Sequence, residues 1–408
     1  MTATTPSGAT PKFYAIDFFC GAGGTTNGLI AAGGQVIAGI DKEGECKKTY
    51  EENNKNPDGS NPEYWQLDIY RRDEDYPEGQ QEEIFGRFDE KVRPLRKTNP
   101  DIPLMLAICA PCQPFTTMTR IQMTDERATA RQRDRGLLAQ CLDYVDHFEP
   151  EMVLCENVAG IQNPKYGGVW QHFMAGLEAR GYVAGSAIVD AVNFKVPQHR
   201  KRSIMLAVKK GKIGGDWIRA SEDGTEFLEV PLSDGTDRRL TVGEAIFDKG
   251  LISLSAGSRD ANDPNHRCAG LSEINRKRLE SVQPGGSNVI FEEAGLGLEC
   301  HRRLRGGKNS GFTDVYTRMD PEKPSPTITT KCFSVSNGRF GHPRETRAIS
   351  IREAALLQTF PENYVFHANS LQQQARMVGN AVPPRLAEFF AKHLVEILES
   401  KEILAEAA

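Results

Sequence analysis

Across residues 13–208 the chain alternates apolar runs of strand length with amphipathic stretches of helical period, and that rhythm limits the folds open to it. Runs at 13–19, 35–40, 64–69, 104–109 and 152–155 read as strands. Helical patterns follow them. One runs through Ala32 after a glycine-rich turn, then come 46–52, 76–97, 137–148 and 169–180, the last stopped by Gly181. Residues 182–190 and 203–208 read as a closing pair of strands. Strands joined through helices run largely parallel, so the expected class is α/β with a doubly wound sheet.

The fourth run ends abruptly. Its sequence Leu106-Ala107-Ile108-Cys109-Ala110-Pro111-Cys112-Gln113-Pro114 places Cys112 at the carboxyl edge of a strand, and Pro114 keeps the chain from coiling straight into a helix. In an open α/β sheet, ligands and chemistry collect at that edge. A thiol there acts as a nucleophile if its surroundings favour the thiolate. An isolated cysteine in such a place is more commonly a small apolar cap on a strand. Cys109 and Cys112 make the one Cys-x-x-Cys pair among nine cysteines. Zinc would need further ligands at fitting spacing and none follow nearby, so no metal is expected.

With 408 residues, 39% of them hydrophobic, the chain can fill two domains. It has no apolar run of about 18 residues, the length a membrane helix needs. Residues 1–11, rich in threonine and proline, read as a disordered tail. Scattered cysteines suit a reducing, cytoplasmic setting. A net charge of -5 means that any contact with nucleic acid must come from local basic surface. From about residue 209 the pattern breaks into short segments separated by glycine, aspartate, proline and serine, which read as a second, irregular domain. Basic clusters stand at Arg276-Lys277-Arg278 and Arg302-Arg303-Leu304-Arg305-Gly306-Gly307-Lys308. Helical pattern returns at 272–281, at 350–360 with Ser350 and Glu353 at capping-box spacing, and at 384–399. The expected division is a first domain over 12–208, completed by 371–408, and a second over 209–370.

Three strand tips carry suggestive chemistry. Asp17-Phe18-Phe19-Cys20-Gly21-Ala22-Gly23-Gly24 follows the first strand; glycines there let backbone pass under a ligand and expose helix-start amides. The spacing G-x-G-G differs from the G-x-G-x-x-G of dinucleotide enzymes, which argues against a nicotinamide-dependent oxidoreductase. Asp41 ends the second strand, placed to accept from ribose hydroxyls, and Asp68 ends the third, placed to accept from an adenine amino group. Either aspartate is read equally well as a helix cap or turn residue. Together they outline an adenosine pocket without a pyrophosphate clamp.

At this point the chain resembles the DNA cytosine-5 methyltransferases, with motifs in the family's order over most of its length. After the glycine turn come Pro111-Cys112-Gln113, Glu156-Asn157-Val158, and Gln198-His199-Arg200-Lys201-Arg202, similar to the family's Q-x-R-x-R. Then follow Arg352-Glu353-Ala354-Ala355-Leu356-Leu357-Gln358-Thr359-Phe360-Pro361 and Gly379-Asn380-Ala381-Val382-Pro383-Pro384. The resemblance implies a Rossmann-like S-adenosylmethionine-dependent methyltransferase sheet with a target-recognition domain. It implies catalytic roles for Cys112, Glu156, and Arg200 or Arg202. Around S-adenosyl-L-methionine, which leaves as S-adenosyl-L-homocysteine, it implies Phe19, Gly21, Ala22, Gly23, Gly24, Asp41, Lys42, Asp68, Ile69, Pro111, Leu138, Asn380, Ala381 and Val382. Lys42 departs from the pattern, standing where many members place an apolar or aromatic residue against the adenine. Implied DNA contacts are Gln113, Gln198, Arg302, Arg303 and Arg305.

Implied partners are double-stranded DNA and a cognate restriction endonuclease acting on the same site, with the chain itself a monomer and no membrane involved. The chemistry suits the residue types. Carbon 5 of cytosine is a poor nucleophile, and a thiolate adding at carbon 6 pushes electron density onto it. A carboxyl at N3 and an arginine near O2 relieve the resulting charge. A tRNA methyltransferase of the same fold shares this mechanism, and Lys331-Cys332-Phe333-Ser334 faintly resembles a motif of that branch. A catalytically silent DNA-binding regulator is disfavoured by the intact Cys112, Glu156 and glycine turn.

Overall fold

The computed structural model describes residues 10–112, 115, 125–297 and 312–406. They fall into two compact units: Met1–Asp190, Lys201–Gly235 and Pro384–Ala408 in one, Ala191–Arg200 and Thr236–Pro383 in the other. The chain therefore changes units at 191, 201, 236 and 384, not at the expected 209 and 371. Residues 209–235 stay with the first unit because β8 (Ile218–Ala220) and β9 (Glu226–Leu228) pair as a hairpin that packs on the edge strand β6 (Tyr182–Asp190).

The first unit is the α/β layer structure that the alternation predicts. Its seven-stranded sheet also contains β1 (Phe13–Phe18), β2 (Gly34–Asp41), β3 (Glu63–Gln66), β4 (Leu104–Ile108), β5 (Met152–Val158) and β7 (Lys201–Lys209), in the order β3-β2-β1-β4-β5-β7-β6. The five strands β1 to β5 are mutually parallel, while β7 runs antiparallel to both β5 and β6. Helices α1 (Gly24–Ala31), α2 (Lys47–Asn53), α3 (Gln81–Lys91), α4 (Arg93–Thr98), α5 (Asp125–Phe148) and α6 (Val169–Glu178) make the crossovers. The single helix expected over 76–97 is two, because Pro94 lacks the N–H a continuing turn requires and sits near the start of α4.

Every residue of β1 is buried, as expected for a parallel strand covered on both faces. Tyr14, Ile16 and Phe18 join Leu106, Tyr144, Phe148 and Phe173 in one large cluster. Phe13, Ala15 and Asp17 point the other way, where Thr26 of α1 reaches Asp17. The last helix, α11 (Pro384–Glu406), packs on α1 through a face that buries Leu386, Phe390, Leu394 and Ile397.

The second unit has no strand among its described residues; α7 (Val242–Ile246), α8 (Glu273–Ser281), α9 (Ile351–Leu357) and α10 (Leu371–Asn380) are set in long loops. Buried backbone carbonyls without a ladder still need donors. Buried arginines supply them: Arg278 donates to the carbonyls of Leu296 and Gly297, Arg318 to those of Leu279, His342 and Glu345, and Arg352 to that of Tyr364. Arg347, 1% exposed, holds both carboxylate oxygens of Glu353, which in turn completes the Ser350 capping box of α9. Burial opposes ionisation of Glu353, but the Arg347 bonds outweigh it and its pKa is lowered.

Candidate active site

Three residues with positive φ turn the chain from β1 into α1: Phe19 (φ 61), Gly21 (φ 49) and Gly23 (φ 89). An aromatic residue held left-handed stores strain that its surroundings must fix. Here the Phe19 and Cys20 N–H groups both donate to the Ile40 carbonyl, and the Gly23 N–H closes back on that of Cys20. A Cβ at Gly21 would meet nothing within 4 Å, so the turn has an open face. Beside it the Asp41 carboxylate accepts from the Gly21 N–H at 3.0 Å and the Glu43 N–H at 2.8 Å. Burial raises its pKa, against the pull of those two bonds. An open glycine face beside a carboxylate fits a ribose-bearing cofactor.

Other expected cofactor residues are placed less uniformly. Asp68 lies beyond β3 rather than at its end, and one carboxylate oxygen accepts from the Tyr70 N–H at 3.1 Å, so it serves as a turn residue. Ile69 and Ala22 are buried, and Leu138, 2% exposed, belongs to the core packing of α5. Lys42 is exposed and Pro111 half-buried. Asn380, Ala381 and Val382 belong to the second unit, where Asn380 ends α10.

The Cys112 turn is tied to its neighbouring strand. Register places Ile108 of β4 opposite Cys155 of β5, and beyond that point the Asn157 side chain donates to the Ala110 carbonyl at 3.0 Å. The Phe115 N–H closes the turn onto the Cys112 carbonyl. Sequence reasoning quoted Asn157 but gave it no role; its 0% exposure and this bond make it the brace of the cysteine loop. Cys109 is a different kind of thiol. Burial pushes its pKa well up, the charges of Glu156 and Asp17 add to this, and the Thr25 hydroxyl lies 3.5 Å away. It stays protonated, leaving Cys112 as the candidate nucleophile of the pair.

Glu156 is inside β5, not past its tip, because β7 extends the pairing as far as Val158 opposite Arg202. Glu156 and Arg202 are thus diagonal neighbours on one face. The Arg202 Nε lies 2.7 Å from Glu156 Oε1, with both side chains about a tenth exposed. That oxygen has no aligned hydrogen bond, so the contact is an ion pair with capacity left over.

Two expectations need correction. Arg200 is not placed for a base: it is 3% exposed and donates to the carbonyls of Ile328, Gly379 and Ala381. Gln198 is not a surface contact for DNA: it is fully buried, donating to the Leu357 carbonyl and Gln358 and accepting from the Ile328 N–H. The Arg276-Lys277-Arg278 cluster is no free basic patch either. Arg276 pairs with Glu273 and Glu280, Lys277 lies near Glu273, and Arg278 is buried. Cys332 is fully buried, its thiol pushed up to about 12 by burial, so the Lys331-Cys332-Phe333-Ser334 stretch is a packed turn. Gln113, Arg302, Arg303 and Arg305, with residues 1–9 of the expected tail, lie outside the described residues. Among the described residues no cluster could hold a metal, and no helix is long and apolar enough to cross a membrane.

A mainly parallel sheet with a glycine turn and an acid on adjacent strand tips, and a cysteine loop beside a buried carboxylate–arginine pair, defines a methyltransferase-like architecture. A DNA modification methyltransferase encoded within a prophage (E. coli) shares this fold: TM-score 0.62, 21% identity, covering 95% of this chain and 99% of that one. The sequence matches the family of C-5 cytosine-specific DNA methylases over residues 13–396, and the chain belongs to that family. It is similar to the Type II methylase M.HgiDII of Herpetosiphon aurantiacus, 33% identical over 94% of this chain and 95% of that protein. It is also similar to the Type II methyltransferase M.AgeI of Thalassovita gelatinovora, 26% identical over 92% of this chain and 98% of that protein. Its reaction is methylation of cytosine at carbon 5 in DNA, for which the family implies S-adenosylmethionine as donor.

Proposed function

We propose that this enzyme acts on one specific duplex sequence, as the modification half of a restriction-modification system, through a covalent bond between Cys112 Sγ and carbon 6 of cytosine. The observation that carries the reading is the buried Glu156–Arg202 ion pair on the strand braced to the Cys112 turn. The Cys112 thiol gives up its proton as its sulfur adds to carbon 6, and the Glu156 carboxylate relays a proton to N3, relieving the charge that develops there, while Arg202 donates to O2. S-adenosylmethionine, when bound, supplies the electrophilic methyl group. The open face at Gly21 and the carboxylate of Asp41 are the residues of this chain that would hold its adenosine. After transfer the carbon-5 proton leaves to water, the carbon 6–sulfur bond breaks, and the N3 proton returns through Glu156 to the released thiolate, restoring the thiol.

A stacked base hides both faces of its ring, so the target must leave the duplex. The second unit, with the arginine-rich segment 302–308 in its sequence, is the part suited to recognise the site and stabilise the opened duplex. The enzyme works as a cytoplasmic monomer, alongside an endonuclease of the same specificity. Mapping 5-methylcytosine in DNA from cells expressing the protein identifies the target. A duplex carrying 5-fluorocytosine there, which cannot lose its carbon-5 substituent, then traps the covalent complex on a denaturing gel. Methylation confined to tRNA, or equal trapping by Cys112→Ser protein, would overturn the reading.

A further inference from the structure

We propose that Gly160 is a positioning residue for the nucleophile: by carrying no side chain it lets the Cys112 turn seat against the end of β5, and so sets the reach of the sulfur. The inference rests on the reading of Cys112 as the nucleophile, and it adds a residue to which the sequence gave no role.

One stretch of chain bounds the turn on both sides. On the first side the Asn157 amide donates to the Ala110 carbonyl at 3.0 Å. Its own oxygen accepts from the Val158 N–H at 2.9 Å, which fixes the way the amide faces. On the second side the Phe115 N–H closes onto the Cys112 carbonyl at 3.0 Å. Phe115 is 3% exposed and meets Tyr166 edge-on, with ring centres 5.2 Å apart. Gly160 lies in the short helical turn Ala159–Gln162 that follows β5. A Cβ there would come 2.6 Å from the Phe115 carbonyl oxygen. Gly160 does not have a positive φ, so space rather than backbone conformation calls for glycine. The far end of the helical turn is held as well. Gln162 Nε2 donates to the Ser203 hydroxyl at 3.0 Å, and Ser203 follows Arg202 on β7.

Glu156 stands at the head of the same stretch. Residues 156–160 thus carry the acid, the brace on Ala110 and the surface on which Phe115 rests. The half-buried Cys112 lies between those two contacts, so its place relative to Glu156 is set over a few residues of chain. An alanine at 160 would have to push the Phe115 carbonyl from 2.6 Å out to ordinary contact at 3.4 Å. The buried Phe115 ring, held against Tyr166, leaves little room to absorb that shift, and it passes to the turn at Cys112. A misplacement of about 1 Å at reacting atoms costs about a hundredfold in rate. Binding of DNA and cofactor in the ground state makes no such demand on the sulfur.

The test compares wild type, Gly160→Ala and Gly160→Val in single-turnover methyl transfer and in trapping on a 5-fluorocytosine duplex, with melting temperature in parallel. Expected is transfer and trapping about a hundredfold slower for alanine, and slower still for valine. KM for DNA and for S-adenosylmethionine should stay within about twofold, the signature of an interaction made only in the transition state. A Gly160→Ala rate within about threefold of wild type overturns the inference. So does a loss of rate no larger than the loss of folded protein, since that is a merely structural role. If wild type traps nothing on the fluorinated duplex, the functional reading fails and the inference with it. Should Gly160→Ala not fold, hydrogen exchange on wild type decides. The Phe115 amide must be protected in step with those of Val158 and Asn163, and fast exchange at Phe115 beside slow exchange at those two overturns the proposal.

Discussion

Replacing Asp17 by asparagine should make the first unit lose its steepest dependence on pH. The Asp17 carboxyl is fully buried in β1, accepts from the Thr26 hydroxyl at 2.7 Å, and leaves Oδ1 without a partner. Burial pushes its pKa from 3.8 to about 7, with the Thr26 bonds opposing and the charge of Asp41 adding. An unfolded chain therefore releases this proton near pH 4, the folded one only near 7. Through that window the folded state binds more protons than the unfolded state, so rising pH favours unfolding, and the penalty is complete above about pH 7. The span corresponds to about 4 kcal/mol at most, of which about 2–3 kcal/mol develops between pH 5 and pH 8. Asparagine cannot ionise, so the stability of Asp17→Asn relative to wild type should rise by that amount over the same interval. Other titrating groups cancel in the difference. Urea unfolding followed by tryptophan fluorescence reads the correct unit, because all three tryptophans, Trp65, Trp170 and Trp217, lie in it. A difference constant within about 0.5 kcal/mol between pH 5 and 8 would show that Asp17 is ionised or solvated in the fold, and the argument would be refuted.

Glu156→Gln should bind DNA normally but methylate about a hundredfold to ten-thousandfold more slowly, because the charge at N3 loses its proton donor; single-turnover methyl transfer checks this. Arg202→Ala should leave the Glu156 charge buried and unpaired, lowering stability by about 3–5 kcal/mol in urea unfolding as well as slowing transfer. Arg347→Met removes the guanidinium paired with buried Glu353, the acid of the α9 capping box, with a similar loss expected by the same measurement. Exchanging residues 236–345 for those of a relative with another target should change the sequence methylated while S-adenosylhomocysteine binding is kept. A bisulfite map of the modified DNA reads the outcome.

The alternation of apolar runs was enough to place all seven sheet strands within a few residues and to put Cys112 and Asp41 at strand tips. Period-2 and period-3.6 burial are local properties, and each strand of a doubly wound sheet is buried on its own account. The capping box at Ser350 was legible for the same reason, since its two bonds lie within three residues. Sequence reading was less successful where contacts cross the chain. It ended the fifth strand at Cys155, because nothing local says that β7 will pair as far as Val158 and draw Glu156 into the sheet. The resemblance implied roles at DNA and base for Gln198 and Arg200, and nothing local says that both side chains are buried against remote backbone.

What the sequence determined by itself was the family, and with it the reaction: it carries the motifs of the C-5 cytosine-specific DNA methylases in the family's order. What the tertiary structure alone decided was which of two arginines pairs with Glu156. Arg200 and Arg202 are separated by one residue and are chemically identical. Arg200 meets three carbonyls from distant segments that no hydrogen-bond ladder satisfies, while Arg202 lies diagonal to a buried carboxylate. A side chain takes the partner that burial would otherwise leave unsatisfied, and that partner is fixed only when remote parts of the chain come together.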